Sequence, residues 1–178
     1  MALKTNLRVA VSLIVVTLST VALSRESAAK ESLAGSYKYV GGEAEVNALF
    51  AAVESVVQKM SVFSRGIARG RLRKPNMPSA ELDLTVDAQQ ITVARTGQKS
   101  VAAPPNGTAV KWNGPDGKFT VSYALNGNTL LQTMDGKNSH STNLFALDKD
   151  GETLHVKTKI VSKRLPAPVT FDMTYRKH

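Results

Sequence analysis

Arg65, Arg69 and Arg73 recur at intervals of four, with Arg71 and Lys74 beside them. On a helix that spacing gathers the guanidinium forks on one face. Such a face suits phosphate or carboxylate groups, because an arginine fork can donate two parallel hydrogen bonds to an oxyanion. A second set, Phe119, Tyr123, Phe171, Met173 and Tyr175, falls at alternate positions of apolar-alternating stretches. Side chains at alternate strand positions share a face, so these five are candidates to line a cavity inside a curved sheet. His140 and His155 lie within strand-like segments, but nothing in the chain resembles a nucleophile elbow, a zinc-binding helix or a phosphate loop. The expectation is a non-catalytic protein without cofactor or metal.

The elements that would position these residues follow from periodicity. Between Glu43 and Lys74, apolar residues at Val46, Leu49, Phe50, Val53, Val56, Val57, Met60, Phe63 and Ile67 follow the i, i+3, i+4, i+7 rhythm of a helix. Gly66 and Gly70 weaken a single long helix. The reading is therefore two helices bending near Met60 to Phe63, the second capped by Ser61 or Ser64 and ended by Pro75 and Pro78. The stripe from Val46 to Ile67 is expected to cover core, as most such stripes do.

Everything after the helices reads as strands. Leu82, Leu84 and Val86 alternate with polar neighbours, Ile91 and Val93 follow, and residues 97–107 read as a loop ending in Pro104-Pro105-Asn106-Gly107. Strands are expected at Val110 to Trp112, Phe119 to Leu125, Thr129 to Met134, Ser139 to Leu147, Thr153 to Ser162 and Val169 to Arg176. Asn-Gly and Asp-Gly pairs punctuate them, as tight hairpins require. With Leu33 to Val40 as a first strand, the fold class is mainly β. It is an antiparallel up-and-down barrel, or a strongly curved sheet, of about nine strands with a helical pair inserted after the first strand.

Composition narrows the partners. Lys and Arg exceed Asp and Glu to give a net charge of +9 in 178 residues, which favours anionic partners such as membrane head groups or acidic proteins. Aromatic residues make up only 6% of the chain, too few for a base-stacking platform, so no nucleic acid is expected. Lys4 and Arg8 precede an uncharged apolar run from Val9 to Leu23 and then small residues. That is the pattern of a cleaved signal peptide over residues 1–29, with residues 30–178 as one domain of the mature protein. An exported protein without cysteine fits a bacterial periplasm or exterior and must rely on packing alone. A monomer is the expected state.

Leu33-Ala34-Gly35-Ser36-Tyr37-Lys38, the helical pair, the meander of hairpins and the closing Met173-Thr174-Tyr175-Arg176-Lys177 together resemble the calycin group, the lipocalins and fatty-acid-binding-protein type of barrel. The resemblance implies a lipocalin-like β-barrel holding a hydrophobic or amphipathic small molecule. It makes Tyr175 the polar anchor, Phe119, Tyr123, Phe171 and Met173 the apolar wall, and puts Arg65 and Arg69 near the mouth. Two positions depart from the group's pattern. Tyr37 stands where its tryptophan would be, and Met173 where its closing strand carries an arginine for the ligand carboxylate. A buried carboxylate without a partner is costly, so the ligand is held differently or the interior is filled. The alternative function is an envelope interaction protein whose basic helix docks on an acidic protein or an anionic membrane surface.

Overall fold

Period-two alternation of apolar and polar residues becomes ten antiparallel strands in the computed structural model, which describes residues 33–114 and 117–178. The signal-peptide reading of residues 1–29 lies outside the described residues. In chain order the strands are β1 (Gly35–Tyr39), β2 (Glu81–Val86), β3 (Ile91–Arg95), β4 (Val101–Ala103), β5 (Val110–Gly114), β6 (Gly117–Asn126), β7 (Thr129–Gly136), β8 (Ser139–Leu147), β9 (Thr153–Ser162) and β10 (Val169–Lys177). Two helices, α1 (Gly42–Val57) and α2 (Val62–Arg73), separate β1 from β2. The expectation of about nine strands is thus one short. The extra strand is β4, three residues inside the stretch read as a loop, and it pairs with β3 through Ile91–Ala103 and Val93–Val101.

The sheet order is β4-β3-β2-β1-β10-β9-β8-β7-β6-β5. First and last strands do pair, with Tyr39 opposite Tyr175 and Tyr37 opposite Lys177, so closure occurs where the termini meet. The barrel is nearly rather than fully closed, because β4 and β5 end the ladder and do not pair with each other. Inward-facing residues of both halves form one core that includes Tyr37, Leu82, Leu84, Ile91, Val121, Tyr123, Leu130, Phe145, Leu154 and Phe171.

α1 begins with Glu43 and Glu45 in its first turn, where negative charge is favoured by the helix dipole. Glu45 reaches β10 and accepts from the Thr174 N–H at 2.8 Å and the Thr174 hydroxyl at 2.6 Å. Its Leu49, Val53, Val56 and Val57 are buried in the same core as the sheet. The apolar stripe stops there, contrary to the expectation that it covers core as far as Ile67. In α2, Phe63 is 96% exposed, Val62 72% and Ile67 64%. The physical reason is the break at Met60 and Ser61. It resets the helical phase, so α2 turns Arg65, Arg69 and Arg73 to α1 and Val62, Phe63 and Ile67 to solvent, while Leu72 alone of its large apolar residues stays in the core. Ser61 does occupy the N-cap position of α2, but its hydroxyl bonds the Ser64 hydroxyl at 2.7 Å rather than a backbone N–H.

Candidate functional site

The two chemically pointed sets of the sequence come to different places. Tyr123, Phe171, Met173 and Tyr175 are all buried within the barrel. Phe119 is half-buried near the start of β6, with its ring 6.0 Å from that of Trp112. Arg65 and Arg69 are not with them. Arg65 donates to the carbonyls of Met60 and Gln58 at 3.0 and 2.7 Å. Arg69 grips Glu54 of α1 with two bonds, Nε to Oε2 at 2.7 Å and Nη2 to Oε1 at 2.5 Å. Arg73 adds a longer contact to Glu54 and lies 4.4 Å over the Phe50 ring. The Arg69 fork, helped by Gln58 and the charges of Arg69 and Arg73, pulls the Glu54 carboxyl down to about 2. The arginine comb therefore joins the helices to each other.

Inside the barrel a row of polar side chains crosses four neighbouring strands in register. Tyr123, Gln132, Asn143 and Thr158 are cross-strand partners in turn, and all four are buried. Donation runs one way. The Thr158 hydroxyl donates to Asn143 Oδ1 at 2.7 Å, and Asn143 Nδ2 donates to Gln132 Oε1 at 2.8 Å. Gln132 Nε2 then donates to the Tyr123 hydroxyl at 2.8 Å, which donates to the Val101 carbonyl at 3.1 Å. A fully satisfied buried row of this kind fixes a single arrangement of the wall.

The last of these bonds crosses the unpaired edge. Between β4 and β5 there is no backbone ladder; side chains join them, and the connecting segment is tied to β6 by the Gly107 N–H donating to the Tyr123 carbonyl at 3.0 Å. Besides Tyr123, the Trp112 indole N–H donates to the Ser100 carbonyl at 2.9 Å, and Lys99 Nζ to the Asn113 carbonyl at 3.4 Å. The Trp112 ring can lie there because residue 114 is glycine. A Cβ at Gly114 would come within 2.1 Å of the ring.

Beneath this seam is a void of about 40 Å³ lined by Val93, Arg95, Lys99, Trp112, Gln132 and Met134 among others. Arg95 stands on the inward phase of β3, after Ile91 and Val93 and opposite buried Leu82. Burial pulls its guanidinium below the usual arginine value, against a weaker opposing influence from Tyr175 and Tyr123. Burial in turn raises the Tyr175 hydroxyl, opposed by Arg95 and by the Ser79 amide. Among the described residues, Arg95 has neither a hydrogen-bond acceptor nor a carboxylate partner. The strand reading from sequence stopped at Val93; extending the same alternation by two residues would have placed a half-buried arginine on the inward phase of β3. Gln132 and Asn143 likewise sit on apolar phases, between Leu130 and Met134 and before Phe145.

No protein-family model matches the chain, and no curated protein sequence does. Among solved structures it is similar to a secretory abundant heat soluble protein from Ramazzottius varieornatus, with TM-score 0.54 and 10% identity over 83% of this chain and 96% of that one. It is also similar to a point mutant of the fluorescent protein UnaG, with TM-score 0.53 and 12% identity over 83% and 97%. The zebrafish ileal bile acid-binding protein complexed with cholic acid gives TM-score 0.50 and 10% identity over 83% and 99%. These likenesses, with the strand order and the helical pair after β1, are those of a nearly closed, calycin-type antiparallel barrel.

Proposed function

We propose that the mature chain is an exported, monomeric, non-catalytic protein that holds a hydrophobic or amphipathic small molecule within its barrel. The observation that carries this reading is the pairing of an unzipped seam between β4 and β5 with a void directly beneath it. A barrel built only to bury a core gains from joining its last two edges backbone to backbone, since open edges invite aggregation. Here β4 and β5 stay unpaired, bridged by side chains and by one backbone bond from the segment between them to β6. The basic start and apolar run of residues 4–23 support export. The test is mass spectrometry of protein purified from its native source, first under mild and then under denaturing conditions. A stoichiometric amphiphile released only on denaturation is expected. Protein that emerges empty and takes up neither fatty acids nor hydrophobic dyes would refute the reading.

A second reading is favoured by one observation, the exposed apolar face of α2. Phe63, Val62 and Ile67 project from a helix that contains no acidic residue, carries exposed Arg71 and is flanked by exposed Lys59 and Lys74. An apolar ridge between cations suits an anionic head-group surface. Flotation with phosphatidylglycerol vesicles, weakened by salt and absent with phosphatidylcholine, is its expected signature.

A further inference from the structure

We propose that the cleft between the α1–α2 elbow and the β9–β10 turn is a binding site for a phosphate monoester. The inference does not depend on what the barrel holds. The cleft has a volume of about 340 Å³, at the small end of the roughly 300–1,000 Å³ usual for ligand sites. Lys59, Ser61 and Ser64 come to it from the elbow, and Lys163 and Arg164 from the turn. Met60 and Leu165 belong to the same lining, and both pack against the buried core.

Charge there is one-sided. The lining holds three cations and no carboxylate, and the segments that supply it carry no acidic residue from 55 to 80 or from 153 to 171. Glu54, the last acidic residue before the elbow, is taken by Arg69 and Arg73. Among the described residues, the side chains of Lys59, Lys163 and Arg164 make no hydrogen bond or ion pair. The C-terminal end of α1 would by itself oppose an anion. Arg65 covers it, donating to the Gln58 and Met60 carbonyls at 2.7 and 3.0 Å.

These donors suit a phosphate better than a carboxylate. A single arginine fork satisfies a carboxylate. A phosphate monoester carries close to two negative charges near neutral pH and three acceptor oxygens on one centre, so it can engage cations from the elbow and the turn together. Arg164 offers the fork, and Lys59 and Lys163 the point charges. The Ser64 hydroxyl donates to the Ser61 carbonyl at 3.0 Å, which makes the Ser61 hydroxyl the donor in the 2.7 Å bond between the two serines. That proton can be turned to a phosphate oxygen instead. The turn is already fixed, by bonds from the Leu165 N–H to the Ser162 carbonyl at 3.0 Å, the Arg164 N–H to the Ser162 hydroxyl at 3.2 Å and the Lys163 N–H to the Asn138 carbonyl at 3.3 Å. A bound phosphate would bridge the helical pair to the sheet.

The test follows backbone amide resonances of the full mature protein during titration with glycerol 3-phosphate at constant ionic strength, with glycerol as the control. Saturable shifts confined to residues 59–64 and 162–166 are expected, with none from glycerol. Arg164→Ala should weaken binding about tenfold, the lower end of the worth of a hydrogen bond to a charged group, and Arg164→Lys by less. Lys149→Ala removes the same charge from the β8–β9 turn, at the far end of the 10-residue β9. That is roughly 30 Å away, beyond the screening length of about 10 Å, so the affinity should stay within about twofold. Both side chains are exposed, and neither change should disturb the fold. Flotation then separates the sources of the phosphate. A preference for vesicles of phosphatidate, a monoester, over phosphatidylglycerol, a diester, that is lost in Arg164→Ala would assign the site to a lipid head group. Flotation indifferent to Arg164, with the titration shifts intact, would assign it to a soluble ester. Shifts that fail to saturate or spread over the whole basic surface, or an equal loss in Lys149→Ala and Arg164→Ala, would overturn the site and leave only a diffuse positive field.

Discussion

Tyr123→Phe removes one oxygen, and the direction of the buried row fixes what that costs. The Tyr123 hydroxyl accepts from Gln132 Nε2 and donates to the Val101 carbonyl, so its loss orphans one donor and one acceptor. Each orphaned buried group costs about 1–3 kcal/mol. The neighbouring void touches both Val101 and Gln132 and can admit a water to rehydrate them. The expected destabilisation is therefore at the lower end of the range for two groups, about 2–3 kcal/mol. Thr158→Val, at the other end of the row, orphans only Asn143 Oδ1 and should cost about half as much. Urea unfolding followed by circular dichroism reads the difference. With a slope of about 1–3 kcal/mol/M, the Tyr123→Phe midpoint should drop by roughly 1–2 M.

A further variant separates the argument from a simple count of bonds. Replacing the whole row, Tyr123→Phe with Gln132→Leu, Asn143→Leu and Thr158→Val, removes partners together and leaves the Val101 carbonyl as the unmatched group. It should cost less than the sum of the single changes, because paired losses are cheaper than orphans. If Tyr123→Phe lies within about 0.5 kcal/mol of wild type, or Thr158→Val proves the more damaging of the two, the directional row is refuted.

Glu54, held down at about 2 from a normal value of 4.5 chiefly by the Arg69 fork, makes the α1–α2 junction sensitive to acid. A depressed folded value means the stabilisation is complete above the unfolded value and lost as pH falls through the folded one. Hydrogen exchange at α2 amides, corrected for intrinsic rates, should therefore quicken between pH 4.5 and about 2. Glu54→Gln should abolish that step. Gly114→Ala should expel the Trp112 ring from the seam, since the new Cβ would lie 2.1 Å from it. As the chain has a single tryptophan, the change should appear directly as a red shift of its emission, and an unshifted spectrum would count against the seam's geometry. Phe63→Ser, at a side chain 96% exposed, should alter stability by less than about 0.5 kcal/mol while reducing flotation with anionic vesicles.

Long alternating runs were legible in the sequence because one face of each is buried. Phe119, Val121, Tyr123 and Leu125, or Val169, Phe171, Met173 and Tyr175, can point inward only in one register. β4 was not legible. Val101 to Ala103 is too short to show a period, and it lies between polar Gln98-Lys99-Ser100 and Pro104-Pro105. The exposure of Phe63 and Ile67 was hidden for a different reason. A stripe at helical spacing predicts one face only while the helix is continuous, and the break at Met60 and Ser61 rotates α2 away. Arg65 and Arg69 were recognised as one face, yet the partner of that face, Glu54 on the preceding helix, depends on how the two helices fold together. The polar row and Arg95 lay on inward phases that polarity disguised.

The route into the interior can be decided by magnitude. One route lifts α1, whose Leu49, Val53, Val56 and Val57 are buried in the core. Exposing four such aliphatic side chains costs about 1.5–3 kcal/mol each, or roughly 6–12 kcal/mol together, comparable to the whole stability of an ordinary domain. The other route parts β4 from β5, where the side-chain bonds from Lys99, Trp112 and Tyr123 and the backbone bond from the Gly107 N–H to the Tyr123 carbonyl are what must break. At about 0.5–1.5 kcal/mol net for each, that opening costs roughly 2–6 kcal/mol, and it leads to the void lined by Arg95 and Gln132. Openings of that size are frequent in a native ensemble, whereas those of α1 approach global unfolding. Amides of Val101 to Ala103 should accordingly exchange with solvent much faster than those of Leu49 to Val57 in the ligand-free protein, and a bound amphiphile should slow the first set selectively. Faster exchange in α1 than in β4 would reverse the assignment and make the helical pair the entrance.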